Sequence, residues 1–509
     1  MKKHLAGIVM AMGLVAAPMT AMAKEPTIDA AALLARLEKL EADNARLKTE
    51  VDELRSAHAK EVEVARYAAP PPAAADAPAQ AGTEVAARTN LDAAGRSRPV
   101  LGTDDVYSAA VLGHVENVNQ RRIVQLEARA EGRVNNVVTL SGEVIAIADA
   151  HWSNRANKFG YLMRHPTGNN QRTKATQEIT INSAQLGFTF APAKDVTGYV
   201  EMLYDPEQSF GSGTLTTLAR NQVQVRKAYV MWGNLNKSPV YVSAGKMDIA
   251  FGLQDSVSPF TNSSNWHAFA PLAFAGEIGY YDKGLSLRAT AIGGGAQFRS
   301  ANTPVDGTAI PSKLNNFAFD GSYKYSFGDG NSMMLGGSYI HGSAYCQAYP
   351  ITHFTACNTR VPAWAAYGRL QLGKLELLGD FAKTSKVWPG TQVPNPANPL
   401  AVYPASKVTS FTAGGRYTFG DDNSNLKLSL EYSKFIAGPQ DSPWHRQDQT
   451  VLGLSRQFSP GLSLFGELIN VAGYSPLNFI SGGNFPDGST WSDASARSQV
   501  VMTGVRAGF

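Results

Sequence analysis

From residue 136 onward, apolar and polar positions alternate in runs of about ten residues separated by turn chemistry. In the clearest run Phe317, Phe319, Tyr323, Tyr325 and Phe327 share one face, while Asp320, Ser322, Lys324 and Ser326 share the other. Aromatics outward and charges inward at period two predict a lipid-embedded strand around a polar lumen. A soluble sandwich also alternates, but it would set the aromatic face in a dry core and the charges in bulk water. Sixteen runs fit: 136–149, 178–191, 195–205, 221–234, 239–249, 274–281, 284–294, 314–327, 331–341, 361–373, 374–384, 407–419, 424–435, 447–458, 461–471 and 497–509. Seven short turns, Pro192-Ala193-Lys194 and Gly328-Asp329-Gly330 among them, alternate with eight longer loops at 150–177, 206–220, 250–273, 295–313, 342–360, 385–406, 436–446 and 472–496. That alternation is what an all-β transmembrane barrel of 16 antiparallel strands needs when both its ends lie on one side of the membrane. Residues 136–509 are therefore expected to be the barrel.

Two runs break phase. Lys227 would face lipid if Val223, Val225 and Tyr229 do, so either a bulge intervenes or the phase there is wrong. The apolar face also switches between Ile181 and Leu186, with Ser183 the expected bulge. Elsewhere the aromatic side assigns Lys246, Arg288, Lys324, Arg369, Arg416, Lys427 and Arg506 to the lumen, together with Glu201, Asp248, Asp320, Glu376, Asp380, Glu431 and Glu467. Rings of one sign confer ion selectivity, so a balanced lumen predicts a wide, weakly selective channel. The same charges could instead pair across strands and satisfy one another.

Ahead of the barrel the texture differs. Lys2 and Lys3, an uncharged stretch over 5–17 and Ala21-Met22-Ala23 predict a secretory signal peptide over 1–23. Within 30–66, Leu33, Leu40, Leu47 and Leu54 occupy heptad position d, and Leu37, Asn44 and Val51 position a. The g-to-e pairs Arg36/Glu41, Asp43/Lys48 and Glu50/Arg55 are all opposite in sign, which predicts a parallel coiled coil between identical chains. An amphipathic helix packed on its own chain is the alternative. Self-association would run through Leu37, Leu40, Asn44, Leu47, Val51 and Leu54, and the heptad chemistry leans to a dimer. Residues 67–100 form an Ala/Pro linker, semi-stiff by composition. Residues 101–135 are expected as a periplasmic connector: Asp104 could cap a helix through Val106, Ala109, Ala110 and Val115, and RRIVQLEARAEG continues it or is a strand.

Charged residues make up 17% of the 509, against about 25% in a typical soluble chain. No apolar run past residue 23 approaches the ~18–20 residues of a membrane helix, which excludes a helical membrane protein. The net charge of +4 is too small to point to nucleic acid. In an exported chain Cys346 and Cys357 predict a disulfide stapling a loop; a metal pair with His341 and His353 fits no zinc spacing, so no metal site and no cofactor are expected. No G-x-S-x-G, HExxH, Walker or Rossmann motif is present, and His341 with Ser343 is weak as a nucleophile pair, so the chain is not read as an enzyme. The first loop carries Arg155, Lys158, Arg164, Arg172 and Lys174 with no acid, and also His151 and His165. Such a mouth would concentrate anions by steering, or bind lipopolysaccharide phosphates at the rim.

The run RKAYVMWGNLNKSPVYVSAGKMDIAFGL (226–253) resembles the strand–GNL–x–K–SP–strand–AG–x–M–FG segment of outer-membrane siderophore porins of the LbtU type, and EIGYYDKGLSLRATA (277–291) fits the same pattern. The likeness covers about 175–295 and is architectural elsewhere; it departs in 83–135 and in the cysteine loop. The ending Val501, Thr503, Val505, Ala507, Phe509 resembles the C-terminal signal of bacterial outer-membrane proteins. The resemblance implies a sixteen-stranded barrel in the outer membrane of a Gram-negative bacterium, a coiled coil in the periplasm, and passive uptake of small hydrophilic solutes, with ferric chelates or anions among them. Likeness to general porins adds a trimer and a third loop, with Phe260, Trp266 and Phe269, folded into the pore as its constriction. The lack of an N-terminal plug of ~100 residues argues against an energy-coupled transporter. The rival reading is a structural anchor, whose coiled coil tethers the outer membrane to the cell wall.

Overall fold

The computed structural model describes residues 100–509 apart from 157, 164–172, 205–222, 294–313, 347–356, 358, 421–424, 476 and 478–483. The signal peptide, the coiled coil with its heptad residues, the linker up to residue 99, and Arg164, His165 and Arg172 lie outside the described residues.

A short strand β1 (Leu101–Thr103) precedes helices α1 (Asp105–Leu112) and α2 (Arg121–Ala130). The wall follows: β2 (Val138–Ser153), β3 (Ala175–Ala193), β4 (Val196–Tyr204), β5 (Val223–Trp232) and β6 (Val240–Asp248). After helix α3 (Ser264–Phe269) come β7 (Leu272–Asp282), β8 (Leu285–Ile292), β9 (Asn316–Ser326), β10 (Asn331–Ile340), β11 (Ala363–Leu372) and β12 (Leu375–Val387). The last five are β13 (Lys407–Phe419), β14 (Leu426–Ile436), β15 (Arg446–Ser459), β16 (Leu462–Tyr474) and β17 (Asp493–Gly508). Each pairs antiparallel with the next, and β17 returns to β2 from Ser498↔Ser153 to Gly508↔Glu143, closing a sixteen-stranded barrel. Each expected run corresponds to one strand.

Both phase breaks are bulges. Glu201 opposes Lys227 while Met202 opposes Val225, so Arg226 has no residue opposite it on β4 and Lys227 turns inward. Ile145 opposes Ser183 and Ala146 opposes Ile181, which makes Asn182, rather than Ser183, the extra residue. Outside, Ile179, Val230, Trp232, Ile278, Phe319, Leu335, Leu430 and Leu468 are exposed, an apolar exterior on a scale that suits hydrocarbon rather than water.

Aromatic side chains do not mark the outer face everywhere. Tyr199, Tyr229, Tyr241 and Tyr367 point inward, with hydroxyls bonded to Glu201, Gln125, Glu277 and Asp320. Tyr241 lies across Gly279, where a Cβ would sit 2.1 Å from its ring, so the glycine makes room for the inward tyrosine. Taking Tyr241 as outward reverses the phase of β6, and Lys246 is corrected accordingly. It pairs with Ala228 and Phe274, shares the exposed face of Val240, Val242 and Ala244, and donates to the Val225 carbonyl at 3.2 Å.

The second correction is larger. Residues 101–135, expected as a periplasmic connector, lie inside the tube. β1 runs parallel to β2 (Leu101↔Val138, Thr103↔Leu140), below Phe509, whose N–H and carbonyl are bonded to Gly142 of the same strand. Asp104 then caps α1 by accepting from the Tyr107 N–H at 2.7 Å. α1 rises with Tyr107, Val111 and Leu112 buried, and Tyr107 and Ser108 meet Thr189 and Ser141 of the wall. α2 descends, and Arg129 and Ala130 end against the short turns beside Ala193 and Asn236. Contacts from the two helices to β2, β3, β4 and β7, and from the tip between them to β8, β13 and β17, place this hairpin in the lumen.

Candidate functional site: a filled lumen with a basic vestibule

The third long loop also enters the lumen, and its path follows from spacing. Asp380 on β12 accepts from the Gln254 N–H at 2.9 Å, Glu431 on β14 from Val257 N–H at 2.9 Å, and Glu467 on β16 from Phe260 N–H at 2.8 Å. Each step is three residues of loop and two strands of wall. Three extended residues span about 10 Å, and two strand spacings are about 9.6 Å, so chain and wall are commensurate. Asp255 is the one ionisable side chain between residues 250 and 265, leaving backbone N–H groups and hydroxyls to face the carboxylates.

The expected constriction residues are all buried there. Phe260 stacks on Phe465 with centroids 5.2 Å apart, within an apolar cluster that includes Tyr161, Val451 and Met502. Trp266 packs with Val118 of the hairpin, and Phe269 with Phe251 and Tyr345. Above them Tyr345, Trp388, Leu400, Phe435, Trp444 and Leu477, from four long connections and one strand end, form a further cluster across the long-loop mouth. The disulfide Cys346–Cys357, with Cα atoms 5.6 Å apart, staples the segment next to Tyr345.

The hairpin tip meets this loop edge on. Ser256 N–H donates to the Val115 carbonyl, Asn262 to the His114 carbonyl, and Asn119 to the Phe251 and Gly252 carbonyls. Asp255 accepts from the Asn117 and Val118 N–H groups. Sequence reasoning missed these partners along with Arg121 and Arg122; two adjacent arginines beside the apolar Val118, Ile123, Val124 and Leu126 were the available signal.

Charge is the main consequence. Among the expected lumen residues Arg288 is buried on Asp320 (2.6 Å), and Asp248 meets Lys227 (2.8 Å). Asp380, Glu431 and Glu467 are consumed by loop backbone and hydroxyls, Glu201 by Arg121, Arg226 and Lys227, and Glu277 by Arg122. Glu376 is buried between Arg369 and Arg416. The cations fare differently. Lys324, Arg369, Arg416, Lys427 and Arg506 sit within three residues of the short-turn ends of their strands; Lys324 is exposed and the other four keep partial exposure, Arg416 at 14% of its side chain. Side-chain exposure is 25% at Arg369 and 21% at Arg506, against 1% at Asp255 and 4% at Glu143, their partners. The inner wall that water reaches is therefore basic, not balanced, and the expected wide, weakly selective lumen is replaced by a filled one above a basic vestibule.

The first loop is less basic than its sequence suggests. Arg155 pairs with Asp493 at the start of β17 (3.4 Å), Lys158 donates to the Trp491 carbonyl (2.6 Å), and Lys174 is exposed. His151 is buried in β2 beside Asp149 instead of lining a loop. His341 stacks on Phe317 while Ser343 donates to the Val361 carbonyl, so these two do not pair.

No family model matches the chain. A curated Coxiella burnetii protein described as a UPF0422 protein is 25% identical over 257 residues; the match covers 48% of this chain and 50% of that protein, so the chain spans about half the length of the curated relative it matches. Two solved structures have similar barrels. The anion-selective porin from Comamonas acidovorans (TM-score 0.46, 13% identity) matches over 73% of this chain and 99% of its own. The outer membrane channel DcaP of Acinetobacter baumannii (TM-score 0.44, 16% identity) matches over 73% and 97%.

The hairpin tip is also where titration enters. Burial, reinforced by Arg506, lowers the His114 imidazole to about 3; the neutral ring sits with Nε2 2.7 Å from the Phe260 carbonyl and Nδ1 facing Arg506. Partial desolvation would raise the Glu116 carboxyl, but Arg416, Arg369 and Lys427 outweigh it and hold the group at about 2. Both groups bind protons more readily when released into water, so both favour docking at high pH. Docking is strongest above the ordinary histidine value of 6.5 and should weaken about tenfold per pH unit below it. Protection factors at the Val115–Val118 amides, taken after dividing out the base-catalysed intrinsic rate, should therefore fall between about pH 7 and about pH 5; protection that stays constant over that range would contradict the buried neutral imidazole.

Proposed function

We propose that this chain is an outer-membrane diffusion channel for small hydrophilic solutes that favours anions, ferric chelates among them. The observation that carries this is the sorting of charge on the vestibule wall: its acids are enclosed or bound to the filling, while Lys324, Arg369, Lys427 and Arg506 keep contact with water. A wall that served only as an anchor gains nothing from arginines held at its mouth. LbtU-type kinship, trimer formation and self-association through the heptads belong to the same proposal, the last two open to crosslinking in detergent. Planar-bilayer recordings under a potassium chloride gradient test it. The reversal potential should lie on the chloride side, and Arg369→Gln with Lys427→Gln should move it toward zero. Cation preference in the intact protein would refute the reading. The filled lumen supports the second reading, an envelope anchor, which predicts no conductance from the intact protein.

A further inference from the structure

Within the vestibule, Arg416 is shared between two carboxylates of different kinds. Its Nη2 and Nε approach Glu376 Oε2 at 2.5 and 3.0 Å, and its Nη1 approaches Glu116 Oε1 at 2.5 Å. Glu376 belongs to the wall and is nearly enclosed, with Arg369 Nε on its other oxygen at 3.2 Å. Glu116 belongs to the hairpin tip and is 40% exposed. Arg369 and Lys427 also lie within electrostatic reach of it. Lys427 forms no ion pair among the described residues, although three donors are available to it.

A planar guanidinium with one edge committed to a fixed acid presents its other edge to a second carboxylate. Here that second carboxylate comes from the hairpin, not the wall, and stands where water can reach it. We propose that Arg416, Arg369 and Lys427 form a binding site for carboxylate-bearing solutes, and that Glu116 occupies it in cis as an internal competitor. An entering carboxylate meets Lys427 first, then displaces Glu116 from Arg416 Nη1 while Glu376 holds the guanidinium in place. The same exchange removes one of the contacts that keep the hairpin tip in the lumen. The inference rests on the channel reading only for the solute's route to the site.

Calorimetric titration of citrate into the detergent-solubilised full chain tests it without reference to conduction, with inorganic phosphate as comparator. Glu116→Gln should tighten citrate about tenfold, the scale of removing one competing charge-assisted contact. Glu116→Asp keeps the charge but retracts the carboxylate from Arg416, so it should tighten citrate in the same direction. Adding Lys427→Gln to Glu116→Gln should cancel the gain. Tightening in Glu116→Gln but not in Glu116→Asp would reduce the effect to a change of field and overturn displacement. Equal tightening of phosphate would overturn the carboxylate class, and no change in either variant would overturn the site. If citrate tightens as stated while bilayers stay silent, the site stands and the channel reading falls.

Discussion

Removal of residues 100–135 should raise single-channel conductance several-fold and shift selectivity away from anions. Barrels of sixteen strands enclose an aqueous channel when nothing fills them. Here the hairpin reaches Thr189, Glu201, Glu277, Arg288, Arg416 and Arg506, which lie around the circumference. Its loss withdraws Arg121 and Arg122 and leaves Glu201 and Glu277 to water, so acids join the accessible wall. The barrel itself closes through β17 and β2 without β1, and should still migrate as a folded species on unheated gels. Unaltered conductance in the shortened protein would mean that ions pass elsewhere, or not at all.

Arg122→Met should undock the hairpin while leaving the wall intact. Arg122 meets Glu277 fork to fork, Nε to Oε1 at 2.7 Å and Nη2 to Oε2 at 2.8 Å, and its Nη1 donates to the Asp248 carbonyl. Both side chains are almost wholly enclosed. Removing one partner of such a pair costs about 3–5 kcal/mol, chiefly because the other charge is left dry. The wall need not unfold to relieve that cost, since release of the hairpin lets water reach Glu277. Open probability in bilayers and protease cutting near residues 131–137 should rise together, with the heat-modifiability midpoint unchanged. Adding Glu277→Gln should restore docking, whereas Arg122→Lys should not, because an ammonium cannot span both oxygens. Docking that survives Arg122→Met untouched would show that the apolar contacts of Tyr107, Val111 and Leu112 suffice.

The wall was legible because lipid enforces a rule that sequence must obey on every strand. Phe317 to Phe327 could be read as one outward face without any knowledge of neighbours, and the alternation of short and long connections gave the topology. What lies within the wall obeys a different rule. Tyr241 looked like a lipid-facing aromatic because no local signal shows that Gly279 on the next strand hollows a place for its ring, or that Glu277 needs its hydroxyl. The same blindness hid the vestibule. Counting charges by parity found equal numbers of acids and bases on the inner face; which of them water can reach depends on a hairpin and a loop docked from far along the chain. Lys227 was ambiguous for a local reason, a single unpaired residue at Arg226, and the suspected bulge resolved it.

The position of β1 bears on assembly. β1 and the chain terminus at Phe509 both lie against β2, one below the other, so the seam where first and last wall strands meet is also the doorway of the hairpin. A polypeptide cannot pass sideways through a zipped ladder. The helical pair must therefore be in place, or threaded in later through the short-turn rim, when the final strand docks. Biogenesis of this protein thus includes a packing step that an empty cylinder of the same girth would not require.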